Sequence, residues 1–289
     1  MNYRRIRLET PDKDFLDIDM LQNGHRRLAI LCHGLEGSSD SLYIQGTASL
    51  LNKGKWDVAA MNYRSCSGVI NKQARMYHSG ATEDLDLVFQ EFHQKYDEIA
   101  MVGFSLGGNL VLKFCGERSN KISDSIISVV AISVPTNLSS GSKHLMKASN
   151  YFYTSKFLKS LKDKVKTKHE QFPEVFDISG IEDIKSVYDF DDNFTAPVHG
   201  FNDAEDYYTQ SSSAQFIGDI TISGLIINAL DDPFLSDECY PFEECSKNGM
   251  IELVTPKYGG HVGFTCIGKD HYWEEIQILE YLNKCSRIS

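Results

Sequence analysis

Apolar residues along the chain fall into short runs separated by longer stretches with helical spacing. Leu28-Ala29-Ile30-Leu31-Cys32 runs into His33-Gly34, and Trp56 to Met61, Ile99 to Gly103 and Ile126 to Val134 repeat the theme. Runs of this length, bounded by turn-forming residues, read as buried strands. Between them, Tyr43 to Leu51, Thr82 to Phe92 and Leu106 to Cys115 carry the periodicity of helices, with Leu85, Val88, Phe89 and Phe92 on one face. Buried strands alternating with helices predict βαβ units and a mostly parallel central sheet with helices on both faces, an α/β fold. The first 25 residues alternate weakly and predict an edge hairpin.

The rhythm stops at Pro135. From Thr136 to Phe216 the chain is rich in Lys, Ser, Tyr and Phe, has no β-branched run, and shows helical spacing over Leu145 to Leu161. It resumes with Gly224 to Leu230, Met250 to Val254 and a closing helix from Tyr272 to Leu282. The expected organisation is a core in two parts, residues 1–135 and 217–289, with a helical insertion at 136–216. Within the insertion, Lys156 to Lys168 reads as a solvated helix face, and Tyr151, Phe152 and Tyr153 as insertion core rather than substrate wall. No repeat or low-complexity tract is visible.

Charge and cysteine usage narrow the function classes. With 29 Lys+Arg against 40 Asp+Glu in 289 residues, the formal charge of −11 argues against nucleic-acid and anionic-membrane partners. The seven cysteines are odd in number, dispersed and free of any CxxC pair, which fits a reducing compartment. The basic N-terminus is followed by Asp and Glu rather than an apolar stretch, and no apolar run is long enough to span a bilayer. A cytoplasmic protein without an integral membrane segment is expected.

Gly103-Phe104-Ser105-Leu106-Gly107 fits G-x-S-x-G and sits where a predicted strand passes into a predicted helix. The bare pattern is weak. Its position is informative, because such a turn raises the serine hydroxyl above the sheet. A nucleophilic serine needs a base, and the base an orienting carboxylate. Asp231-Asp232-Pro233 follows the run ending at Leu230, and Gly259-Gly260-His261 follows the run ending at Val254. Both lie where open α/β sheets place their sites, beyond the carboxyl ends of strands. Asp232 is preferred to Asp231 as the acid because Pro233 restrains it to an extended conformation. The competing reading is an ordinary helix cap before Phe234 to Tyr240. His261 is the base. Oxyanion donors are expected at the Leu106 N–H, beside the nucleophile, and at Leu35 in the loop His33-Gly34-Leu35-Glu36-Gly37-Ser38-Ser39. That loop lacks the residues of a phosphate loop. His33, Gly34, Phe104 and Phe234, which flank these groups, are candidate substrate contacts.

Taken in order, these segments resemble the YheT-type branch of α/β-hydrolases, which includes yeast medium-chain ethyl ester synthases and animal α/β-hydrolase-domain lipases. The resemblance also draws on Asn62-Tyr63-Arg64-Ser65-Cys66-Ser67-Gly68, Tyr77-His78-Ser79-Gly80, Asp189-Phe190-Asp191-Asp192, Gly200-Phe201 and Asp206-Tyr207-Tyr208. It implies an α/β-hydrolase fold, a Ser105, Asp232 and His261 triad, and a helical cap over an acyl pocket. It implies hydrolysis of carboxylic esters of short- to medium-chain acyl groups or lipids through an acyl-enzyme. Alcohol acyl transfer by the same chemistry, or a catalytically weak ligand-binding protein on the same scaffold, are the alternatives. No metal or organic cofactor is expected, and the partner is a small-molecule or lipid ester. One departure stands out: Ser65 occupies a position where this branch usually has Gly. Arg64 and His78 are read as structural ties beside the site.

Overall fold

The structure is a computed structural model, described for residues 2–266, 268 and 270–288. Its strands are β1 (Arg4–Glu9), β2 (Phe15–Leu21), β3 (Arg27–Cys32), β4 (Asp57–Asn62), β5 (Glu98–Phe104), β6 (Ile126–Ile132), β7 (Ser223–Ile227) and β8 (Ile251–Val254). They form one sheet in the order β1-β2-β4-β3-β5-β6-β7-β8. The first two strands form the expected hairpin, and β2 also pairs antiparallel with β4. All other pairings are parallel.

Helices cover both faces of the sheet. Strand periodicity sends Leu28, Ile30 and Cys32 to one face, where Leu85, Val88 and Phe89 of α2 (Thr82–Phe92) and Leu110 and Phe114 of α3 (Leu106–Arg118) cover them. Ala29 and Leu31 point the other way, toward Ile44, Ala48 and Leu51 of α1 (Leu42–Lys53) and toward Ile278 and Leu282 of the closing helix Trp273–Cys285. These strands are buried throughout, which is why they read as continuous apolar runs.

Between β6 and β7 the chain forms α4 (Leu138–Leu145), α5 (Tyr151–Gln171), α6 (Val187–Phe190), α7 (Ala196–His199), α8 (Ala204–Ser211) and α9 (Ala214–Ile217), with a π-helical turn at Asp191–Thr195. This segment has its own core around Leu158, Leu161, Val165, Phe176 and Phe190. Two expectations for it need correction. Lys156 to Lys168 is not a purely solvated face, since α5 is amphipathic with two lysines on its inner side: Lys164 pairs with Glu36, and Lys168 is fully buried and donates to the carbonyls of Asn71 and Gln73. Tyr151, Phe152 and Tyr153 are not interior, being 67%, 83% and 53% exposed. They form the outward side of the first turn of α5, whose inner side is anchored by the buried Asn150 and Thr154, and Tyr153 packs its ring edge on Phe234. After β7, α10 (Phe242–Lys247) leads to β8, and α11 (Trp273–Cys285) closes the chain. Among the described residues no helix is long and apolar enough to cross a membrane.

Candidate active site

Registers across β3, β5, β6, β7 and β8 align Cys32 with Gly103, Phe104 with Ile132, Ile132 with Ile227, and Ile227 with Val254. The carboxyl ends of five strands therefore meet at one edge, and the loops leaving them build the site. Ser105 sits between β5 and α3 with φ 53° and ψ −118°. A non-glycine residue in this region is strained. The turn is held by the Ser105 N–H donating to the Ile132 carbonyl at 2.8 Å and the Asn109 N–H donating to the Ser105 carbonyl at 3.1 Å. It also explains its glycines. A Cβ on Gly103 would lie 2.1 Å from the Gly107 carbonyl oxygen, and one on Gly107 would lie 2.3 Å from the Cys32 carbonyl oxygen. Only residues without a side chain let α3 turn so tightly against β3 and β5.

His261 reaches the same place from the loop after β8. Its Nδ1 lies 2.8 Å from Oδ2 and 3.0 Å from Oδ1 of Asp232, whose side chain is fully buried. Asp232 Oδ1 also accepts the Phe234 N–H at 2.9 Å, a second tie on the carboxylate that meets the imidazole. The Phe234 ring lies against the imidazole with centroids 4.2 Å apart. The expected alternative of a helix over Phe234 to Tyr240 does not form, since only a short 3₁₀ turn at Asp237–Cys239 follows. The two aspartates divide the work. Asp231 Oδ1 accepts the N–H groups of both Gly259 and Gly260 at 2.8 Å and so shapes the loop that carries His261.

A cavity of ≈ 350 Å³ opens beside these groups, lined by Gly34, Leu35, Ser105, Leu106, Phe234 and His261 together with residues of the inserted helices. The imidazole's hydrogen bonds are to Asp232 and not to the serine hydroxyl. The two expected oxyanion donors are backbone amides. In the loop after β3, the Gly34 N–H donates to the Tyr43 hydroxyl, the Glu36 N–H to the Tyr77 hydroxyl and the Gly37 N–H to the Gly34 carbonyl. Among the described residues the Leu35 N–H has no such partner. Leu106 is the first residue of α3, whose N–H is one of the amides that a helix leaves unpaired.

Two candidate substrate contacts are corrected. His33 is fully buried, with Nδ1 2.7 Å from the Gly34 carbonyl and Nε2 accepting the Tyr63 N–H at 3.3 Å. Burial pushes its imidazole down to about 3, so it stays neutral and pins the loop from behind. Phe104 is likewise fully buried, because strand alternation sends it to the face under α1, 4.9 Å from the Tyr43 ring. Arg64 stays clear of the cavity and ties Asp12, Asp14 and Asp84 together. His78, in contrast, lines the cavity.

Sequence reasoning missed Ser133. At the end of β6, with φ 51°, its hydroxyl accepts the N–H of Val262 at 3.1 Å, and Val262 itself has φ 53°. A β-branched residue in that conformation is an outlier that needs an anchor, and Ser133 supplies it beside His261. No motif marks either position.

A doubly wound sheet with a serine elbow, a buried aspartate on a histidine, and a cavity at the strand ends define a hydrolase-type architecture. The chain belongs to the α/β-hydrolase fold family, which matches residues 29–264. It is 33% identical to the Escherichia coli protein YheT, which carries an esterase name, over 96% of this chain and 83% of that protein. It is 29% identical to the mouse phospholipase ABHD3, over 91% of this chain and 67% of that protein. In fold it is similar to the Pyrococcus furiosus esterase Pf2001, with a TM-score of 0.65 at 17% identity, covering 98% of this chain and 92% of that one.

Proposed function

We propose that the protein is a serine esterase in which Ser105 is the nucleophile, His261 the general base and acid, and Asp232 the group that orients and stabilises the imidazole. The observation that carries this reading is the Asp232 carboxylate on His261 Nδ1 in the wall of the cavity that Ser105 also lines. With Nδ1–H donated to Asp232, Nε2 is the lone-pair nitrogen, the tautomer that accepts a proton from a serine hydroxyl. As the hydroxyl attacks an ester carbonyl, its proton passes to Nε2, and the oxyanion is met by the N–H groups of Leu35 and Leu106. The proton then leaves with the alcohol, and water resolves the acyl-enzyme by the reverse sequence. Gly34, Leu35, Leu106 and Phe234 contact the substrate. The inserted helices act as a cap whose Leu138, Leu161, Val187 and Phe190 give the cavity an apolar wall for an acyl chain.

The test is hydrolysis of p-nitrophenyl esters from acetate to palmitate by the parent protein and by Ser105→Ala. We expect turnover with an optimum at one acyl length, and a loss of about 10⁴-fold or more in the variant, as when a triad member is removed. Equal rates for the two proteins at every length would overturn the assignment. Rates that rise with added ethanol, with ethyl ester as product, would instead assign the acyl-enzyme to alcohol transfer.

A further inference from the structure

The far wall of the cavity is not built for an alkyl chain alone. His78, His199, Asp191, Thr195 and Tyr208 all line it, contributed by the loop before α2 and by the inserted helices. Most of this polar capacity is unused. His78 Nδ1 accepts the Gly80 N–H at 3.2 Å, which places the ring proton on Nε2, and among the described residues that N–H has no acceptor. His199, whose ring centroid lies 4.4 Å from that of His78, has no hydrogen-bond partner among the described residues. Asp191 accepts from Thr195 Oγ1 at 2.6 Å and from Tyr208 Oη at 2.6 Å, leaving lone pairs on both oxygens. It opens the π-helical turn Asp191–Thr195, an irregularity of the kind found at binding sites. All three side chains are part-exposed rather than sealed in the core, so their free donors and acceptors open onto the cavity, where a ligand with matching polar groups can complete them.

The charge state says which ligand. Burial holds His78 well below the usual imidazole range and His199 at about 4, with the positive charges of Arg75 and either Lys113 or Arg64 acting in the same direction. Both rings are therefore neutral, each with one donor and one acceptor. Among the described residues Asp191 has no cation within ion-pair distance. With both imidazoles neutral, Asp191 is the charged group among these five and would oppose an anion. An ammonium group could pair with Asp191 but has no lone pair with which to accept the His78 N–H. A hydroxyl both donates and accepts, and suits all three.

We propose that His78, His199 and Asp191 form a subsite for a hydroxyl-bearing part of the substrate, so that the ester this cavity selects is hydroxylated as well as acylated. The proposal rests on the esterase reading above and adds the polar half of the substrate to it. The experiment compares kcat/KM for matched pairs: hydroxyalkyl against alkyl esters of one acid, and p-nitrophenyl ω-hydroxyalkanoates against the plain alkanoates. A preference confined to the first pair places the hydroxyl on the alcohol side, and one confined to the second places it on the acyl side. We expect the better pair to favour the hydroxylated ester by about 10-fold, the equivalent of about 1.4 kcal/mol. His199→Phe should bring that ratio to about one, and His199→Gln, which keeps a donor and an acceptor, should restore part of it. Because each ratio is taken on one preparation, partial unfolding cancels. Ratios near one in the parent for both pairs, or a ratio unchanged by His199→Phe, would overturn the subsite. If His199→Phe does not fold, competitive inhibition of the parent by 1,4-butanediol against 1-butanol decides, and equal inhibition overturns the proposal. Should no ester be cleaved above the Ser105→Ala level, a larger thermal shift of Ser105→Ala protein with butanediol than with butanol still supports the subsite, and equal shifts still overturn it.

Discussion

At the scale of single residues, the site depends on backbone conformations that side chains ordinarily avoid. Ser65 shows this away from the chemistry: it stands where the resembling branch usually has Gly, and its φ is 64°. Its hydroxyl compensates by bonding Asn71, at 2.5 Å to Oδ1 and 3.2 Å from the N–H. The departure in sequence thus keeps the conformation and adds an anchor for it. The adjacent aspartates make a sharper case, since they differ by one position and do different things. Asp232→Asn keeps the shape of the acid but removes the charge and alters the tautomer it selects, and should lower kcat by about 10⁴-fold. Asp231→Ala removes the common acceptor of two loop amides and displaces His261 without touching it. A displacement near 1 Å costs about 10²-fold, so a loss of about 10- to 100-fold is expected. Steady-state kinetics of both variants on one p-nitrophenyl ester distinguishes them, and equal losses would show that Asp231 and Asp232 share the role of acid.

At the scale of elements, helix α5 links the inserted segment to the loop that presents Leu35. Glu36, with φ 54°, accepts hydrogen bonds from the Tyr77 hydroxyl at 2.7 Å, from Lys164 Nζ at 2.8 Å and from the Ser160 hydroxyl. The Glu36 and Lys164 side chains are only 4% and 14% exposed, so this ion pair is largely desolvated. Removing one partner of such a pair leaves an uncompensated charge and costs about 3 to 5 kcal/mol, whereas replacing both is far milder. Lys164→Met should therefore lower the Tm and, by loosening the loop beside Leu35, lower kcat more than it changes KM. The Lys164→Met, Glu36→Gln double variant should recover much of the Tm. A double variant less stable than Lys164→Met alone would show that the pair is not coupled. This link was illegible in the sequence, where Lys156 to Lys168 looks like a solvated face because lysine spacing carries no information about what lies opposite. The α/β rhythm was legible, since a strand buried on both faces is almost continuously apolar, as Leu28 to Cys32 is throughout and Ile126 to Ile132 is but for Ser128. That Ser105, Asp232 and His261 come together was legible, because Ser105 and Asp232 closely follow such runs and His261 lies in the loop that leaves the last of them. His33 and Phe104 were misplaced because adjacency in sequence does not tell which side of a strand end faces the cavity. Ser133 and Asp231 act through hydrogen bonds to distant backbone, and Glu36 through side chains far along the chain, which leaves no local pattern.

At the scale of the whole molecule, buried titratable groups pull stability in opposite directions as pH changes. His33, His78 and His199 are held neutral by burial, so the unfolded chain binds more protons than the native one below the usual imidazole range, and their contribution is lost as pH falls through about 6.5. Asp191 and Glu274 act in the other sense. Burial raises their carboxyls to about 6 and about 7, so the native state binds more protons than the unfolded chain between the usual carboxylate range and those values. Stability therefore falls as pH rises through that window. Glu274 is the cleaner probe: it is fully buried in the first turn of α11, its Oε2 accepts the Phe264 N–H at 3.1 Å, and among the described residues its Oε1 has no hydrogen-bond partner. Phe264 in turn packs against Gly259, where a Cβ would come within 2.3 Å of its ring, so the closing helix holds the His261 loop through this carboxyl. Glu274→Gln keeps an oxygen for Phe264 and removes the charge. It should be about as stable as the parent at pH 5, where Glu274 is protonated, and more stable at pH 8 by on the order of 2 kcal/mol, or several degrees in Tm. Thermal melts of the two proteins across pH 5 to 8 check the sign, since a difference that stays constant or shrinks with rising pH would mean that Glu274 carries no charge penalty in the native state. A carboxylate at such a position places the cost where the closing helix meets the loop that carries His261, and the same variant should show in kcat whether the charge itself helps to hold His261.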